Sequence, residues 1–180
     1  KRRMPRSRKG CGRALLGLVL TAGLFLGCSG GEPPSHGRTA APGFRLQTLD
    51  GREVRLADYR GKVVLLHFWA TWCPPCLEAM PYEMELQKKY GPDGFAVLGL
   101  NMDRKVDAAR AYLAKHPVNY PMLVLDDATR QAFGGVPTIP YTVLVDRDGF
   151  IRKQKLGYGE DGRVALERKI GILLGVESAS

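Results

Sequence analysis

Cys73 and Cys76 are separated by two prolines, Pro74 and Pro75, a spacing that lets two thiols close one small disulfide ring or hand it to another molecule. Before them, Val63-Val64-Leu65-Leu66-His67-Phe68-Trp69 is apolar apart from His67, the pattern of a strand buried on both faces of a central sheet. After them, Leu77–Tyr90 carries apolar residues at helical spacing and stops at Gly91-Pro92, which predicts a helix. A dithiol at such a junction has two unlike sulfurs. Cys73 sits at the exposed helix N-terminus, where free N–H groups and the positive end of the dipole favour thiolate, below the free pKa of about 8.5. It is the expected nucleophile. Cys76, one turn inside, keeps its proton until it attacks the mixed disulfide, and is the expected resolving thiol. Pro74 and Pro75 stiffen the loop and take two N–H donors away from the thiolate.

Other uses of the pair fit less well. A structural zinc site needs a second Cys or His pair at ligand spacing, and beyond Cys76 the only histidine is His116, so no metal is expected. A passive disulfide across so short a loop contributes little loop entropy in the chain-entropy model. Of the two flanking tryptophans, Trp69 falls within the buried strand, while Trp72, adjacent to Cys73, is the candidate surface platform for substrate, beside Pro74 and Pro75.

The surrounding elements suit an α/β domain with a mixed central sheet flanked by helices. Phe44–Gln47 and Val54–Leu56 alternate about Asp50-Gly51 and predict an N-terminal β-hairpin. Phe95–Leu100 reads as a second buried strand, Val106–Ala114 as a helix and Met122–Leu125 as a short strand. Asp126–Phe133 reads as a helix capped by Asp126 or Asp127. Val143–Val145 and Phe150–Lys153 flank Asp146-Arg147-Asp148-Gly149, a hairpin turn that lacks the later ligands of a calcium loop. Arg163–Leu174 closes the chain as an amphipathic helix.

The chain has 180 residues and a formal net charge of +9, which would ordinarily point to nucleic acid. Residues 1–27, however, hold seven basic residues and no acid, leaving 20 basic against 18 acidic residues beyond them. The excess therefore belongs to a leader, and no nucleic-acid partner is expected. The basic stretch, the apolar run Ala14–Gly27 and the small residues after it have the layout of a secretory signal peptide. Its end, Leu24-Phe25-Leu26-Gly27-Cys28, resembles the lipobox of bacterial lipoproteins, with Phe25 and Leu26 departing from the motif. That resemblance implies that Cys28 is the lipidated first residue of the mature protein. Residues 29–43, rich in Gly, Ser and Pro, read as a flexible linker, and 44–176 as the folded domain.

Phe68-Trp69-Ala70-Thr71-Trp72-Cys73-Pro74-Pro75-Cys76 resembles the active-site segment of the thioredoxin superfamily, in particular its TlpA/ResA-like branch, over about residues 42–175. The resemblance implies a thioredoxin-like fold and an extracytoplasmic, tethered thiol–disulfide oxidoreductase, in the periplasm or cell envelope, without a bound cofactor. It implies two partners: a disulfide-containing client protein that is reduced, and a membrane electron donor that restores the dithiol. It also implies a cis-proline facing the dithiol. Pro137 and Pro140 compete, and the family's six-residue spacing to an Asp-x-x-Gly turn, here at Asp146, selects Pro140. The backbone of Ile139 is then the expected site where a substrate chain pairs beside Cys73.

Two departures from that family bear on mechanism. Six residues before Cys73, where thioredoxins have a buried acid and this branch often Asn, stands His67. It is a candidate proton acceptor for Cys76; the alternative is a hydrogen-bonded core histidine. Relatives often carry Glu three residues after the second cysteine, but here Ala79 holds that position, and Glu78 lies about 100° away around the helix. Two rival functions share the fold. A thiol peroxidase would need a threonine and a proline upstream of the cysteine that are not in register, and a copper-binding module would want His or Met near Ile139.

Overall fold

A computed structural model describes residues 38–157 and 159–178. The expected signal segment 1–28, with Cys28, and residues 29–37 of the expected linker lie outside the described residues.

Two short strands come first, β1 (Arg45–Gln47) and β2 (Glu53–Arg55), paired antiparallel with Leu46 opposite Val54. Leu46 turns inward while Arg45 and Gln47 face solvent, so alternation alone sets which side of the hairpin packs. There follow β3 (Val63–Trp69), α1 (Pro74–Tyr90), β4 (Phe95–Asn101), α2 (Val106–Lys115), β5 (Met122–Val124), α3 (Asp127–Ala132), β6 (Tyr141–Val145), β7 (Ile151–Leu156) and α4 (Glu160–Leu174). Five strands make one mixed sheet in the order β5-β4-β3-β6-β7. The β3–β4 and β4–β5 pairs are parallel, and β6 runs antiparallel to both its neighbours.

β3 lies at the centre, and all seven of its residues are buried; a strand covered on both faces needs the uninterrupted apolar run it has. Val63, Leu65 and Trp69 enter a core with Met80 and Leu86 of α1, Ala109 of α2 and Ile170 of α4. Val64, Leu66 and Phe68 enter a second core, with Leu46, Leu56, Phe133 and Val136. Truncating one of these leucines to alanine would cost about 2–5 kcal/mol. Gly99 of β4 is required by a close approach: a Cβ there would collide with Met122 Sδ and come within 3.2 Å of Trp69 Nε1.

The element boundaries differ from expectation in three informative places. α1 begins at Pro74, not Leu77, because proline is tolerated in a first helical turn, where its missing N–H has no intrahelical partner. At its other end Gly91 keeps helical angles and a short 3₁₀ turn follows, so the reversal falls on Gly94 at φ 92°. The linker expected to run to residue 43 ends sooner: Ala41 N–H donates to Gly149 O at 2.9 Å, Ile151 N–H donates to Thr39 O at 2.8 Å, and Arg38 lies over the Phe150 ring. Two main-chain bonds and a cation–π contact outweigh the turn-forming composition of this segment.

Candidate active site

Strand β3 delivers the chain to the site and α1 receives it. Between them, Ala70 O accepts from Cys73 N–H at 3.1 Å, and Asp103 holds the loop, accepting from Thr71 N–H at 3.0 Å and Thr71 Oγ1 at 2.9 Å. Asn101 Nδ2 donates to the same carboxylate at 2.8 Å. Asp103 went unremarked in the sequence, since nothing in its spacing ties it to a loop thirty residues earlier.

Cys73 occupies the N-cap of α1, and Cys76 lies in its first turn. The two sulfurs are joined in a disulfide, with Cα atoms 5.3 Å apart, so the oxidised state is the one described. Cys73 was expected to be exposed, but in this state it is 5% exposed and Cys76 is fully buried. The exposed neighbours are Trp72, at 65%, with Pro74 and Pro75. The first-turn amides are already committed. Pro74 and Pro75 have none, and Cys76 N–H and Leu77 N–H both donate to Cys73 O, at 3.0 and 3.2 Å. A thiolate at Cys73 is thus left chiefly with the helix dipole.

Facing Trp72 across a cleft of about 650 Å³ is the loop between α3 and β6, with Val136, Pro137, Thr138 and Ile139 on its wall. The Ile139–Pro140 peptide bond is cis, the one such bond among the described residues. Pro140 is buried and Ile139 partly so. Val136 has φ 44° with its side chain buried, a conformation that costs a β-branched residue about 1–3 kcal/mol and that tends to occur where function constrains the backbone.

His67 is fully buried in β3 and bonded to a partner the sequence reading missed. Its Nδ1 lies 2.9 Å from Glu83 Oε2, which also accepts from the Tyr120 hydroxyl at 2.9 Å. Burial, then the facing Glu83 charge, pushes the Tyr120 hydroxyl well above its usual range, so it remains a donor. His67 Nε2 has no hydrogen-bond partner among the described residues, and His67 lines a void of about 20 Å³ with Ala79, Pro140 and Thr142. Glu83 follows Ala79 by four residues and so shares its helix face. The signal was available, as a carboxylate in the buried stripe Cys76, Ala79, Glu83, Leu86, Tyr90. Glu78 is exposed, but because α1 begins at Pro74 it lies past the first turn where it was expected.

Comparison with known proteins settles the family. The Redoxin family model matches residues 36–169. The chain belongs to the Redoxin family. It is 38% identical over 116 residues to "Thiol-disulfide oxidoreductase ResA" of Geobacillus thermodenitrificans, spanning 64% of this chain and 66% of that one. It is 36% identical over 135 residues to "Thioredoxin-like protein YneN" of Bacillus subtilis, spanning 73% and 77%. A crystal structure from Chlorobium tepidum, assigned as a thiol:disulfide interchange protein DsbE, superposes with a TM-score of 0.72 at 35% identity, covering 77% of this chain and 97% of that one. This Redoxin member is a thiol–disulfide oxidoreductase with a thioredoxin fold. Among its described residues no helix is long and apolar enough to cross a membrane.

Proposed function

We propose that this protein is a membrane-tethered, extracytoplasmic reductase of protein disulfides. The observation that carries the chemistry is the Cys73–Cys76 disulfide closed at the N-terminus of α1, beside a cleft walled by Trp72 and Ile139. In the reduced enzyme the Cys73 thiolate attacks one sulfur of a client disulfide. A Cys73–client bond forms, the client S–S bond breaks, and the leaving client thiolate takes up a proton. Cys76 then gives up its proton and attacks Cys73 Sγ, restoring the intramolecular disulfide and releasing the second client sulfur as a thiol. The client gains two electrons and two protons, which a membrane dithiol donor must return to the enzyme.

Trp72, Pro74, Pro75 and the Ile139 backbone form the surface assigned to the client chain, with Pro140 supporting it from below. His67 is assigned the proton released by Cys76, since β3 places it on the face of the sheet that also carries α1 and the dithiol. Tethering is supported by the basic leader, its apolar run and the lipobox-like approach to Cys28.

The test begins with the full chain and an interchain-disulfide protein such as insulin, with dithiothreitol as donor. Reduction should be lost in Cys73→Ser, and Cys76→Ser should accumulate a mixed disulfide visible on a non-reducing gel. Parent-like behaviour of both variants would refute the assignment. Incorporation of labelled palmitate that disappears in Cys28→Ser tests the anchor separately.

A further inference from the structure

The cleft beside the dithiol carries a charge that the chemistry of exchange does not use. Three cations line it: Arg104 and Lys105, exposed in the loop between β4 and α2, and Arg130 of α3. Arg130 Nε donates to Gly135 O at 2.7 Å, so its guanidinium is anchored on the cleft wall. The one acid in the lining, Asp103, is turned toward its own loop by the bonds from Thr71 and Asn101. The cleft therefore carries a local surplus of two positive charges, in a chain that beyond residue 27 is nearly balanced. Trp72, Val136, Pro137 and Ile139 give the cleft an apolar stretch, beside the hydroxyl-bearing Thr71 and Thr138.

We infer that this cleft selects clients whose reactive cysteine is flanked by Asp or Glu, with an adjacent apolar side chain seated against Trp72 and Ile139. The occupant is an extended acidic segment of the client polypeptide. Arg104 and Lys105 meet its carboxylates at the solvent edge, where charge pairs govern selection and encounter rate more than they add affinity. Arg130 presents a fixed guanidinium deeper in the cleft, suited to a carboxylate. The inference rests on the reductase reading and names its substrate class.

Three synthetic peptides with the same intramolecular disulfide loop, flanked by Glu, by Lys or by Ser, serve as probes for the dithiothreitol-reduced full chain. At low ionic strength kcat/KM for the Glu peptide should exceed that for the Lys peptide by about tenfold, a gap that shrinks several-fold at about 1 M salt. Arg104→Glu/Lys105→Glu should remove or reverse the order, whereas Lys88→Glu/Lys115→Glu, the same change of net charge away from the cleft, should keep it. Equal rates on the Glu and Lys peptides, with the Ser peptide turned over, would overturn the inference and leave the reductase reading standing. Equal loss of preference in both double variants would also overturn it, since net charge would then be the cause. If no peptide is reduced, the reductase reading falls and the inference with it.

Discussion

Two turns beyond Cys76 on α1, Glu83 accepts from Tyr120 and pairs with His67, with both His67 and Glu83 shielded from water. Removing the shared acceptor strands two buried polar groups, so Glu83→Ala should cost about 3–5 kcal/mol in urea unfolding and Glu83→Gln clearly less. His67→Asn separates structure from kinetics: it should slow resolution of the mixed disulfide in Cys76-competent enzyme and alter the pH profile of that step in stopped-flow. An unchanged profile would confine His67 to the core. At the other end of the dithiol, Pro75→Ala restores an amide in the first turn after Cys73 and should move the alkylation midpoint of Cys73 to lower pH. The two cysteines were legible because C-x-x-C is a local pattern. Glu83 was passed over because a lone glutamate in an amphipathic helix reads as solvated until its partners, Tyr120 and His67, arrive from distant segments.

At the level of elements, α1 and α4 are fastened by Glu167, which accepts from Lys89 at 2.8 Å, Tyr82 at 3.0 Å and Tyr90 at 3.2 Å. The Lys89 bond first, then those from Tyr82 and Tyr90, hold its carboxyl below the ordinary 4.5 against the opposing effect of burial. A lowered carboxyl pKa adds stability above the ordinary value and loses it as pH falls through the lowered one. Glu167→Gln should accordingly reduce Tm near neutral pH by a few degrees, with the difference closing in acid, as followed by circular dichroism. This fastening was not legible, because residues about eighty positions apart meet only once both helices pack on one face of the sheet. Strand β3 and helix α1 were, since their periodicities are intrinsic; what the pattern missed was that two prolines could sit inside the helix's first turn. The turn at Asp146 was legible too, and Asp146 Oδ1 accepts from the N–H groups of Asp148 and Phe150, at 3.1 and 2.9 Å.

For the whole molecule, the composition of residues 29–43 led to a domain start at residue 44, whereas the main chain is already paired at Thr39–Ala41. Only the pairing of Thr39–Ala41 with Gly149–Ile151 reveals the edge, and a Gly-Pro-rich segment gives no periodic sign of it. A protein lacking residues 1–37 should keep its Tm within about 2 °C, whereas removal through residue 43 should lower it by about 5 °C, from two lost main-chain bonds at about 1 kcal/mol each. The same pairing does more than add stability. At the opposite side of the sheet the chain after β1 bridges Thr48 to Leu123, and Leu49 N–H donates to Met122 O at 2.9 Å. Both outer strands are thus partly occupied by the protein's own chain, and what stays open of β7 carries Arg152, Lys153 and Lys155. A bare sheet edge is a template on which another chain can pair. By stopping its own borders, the sheet leaves little uncovered, uncharged backbone on which a second copy could add a strand.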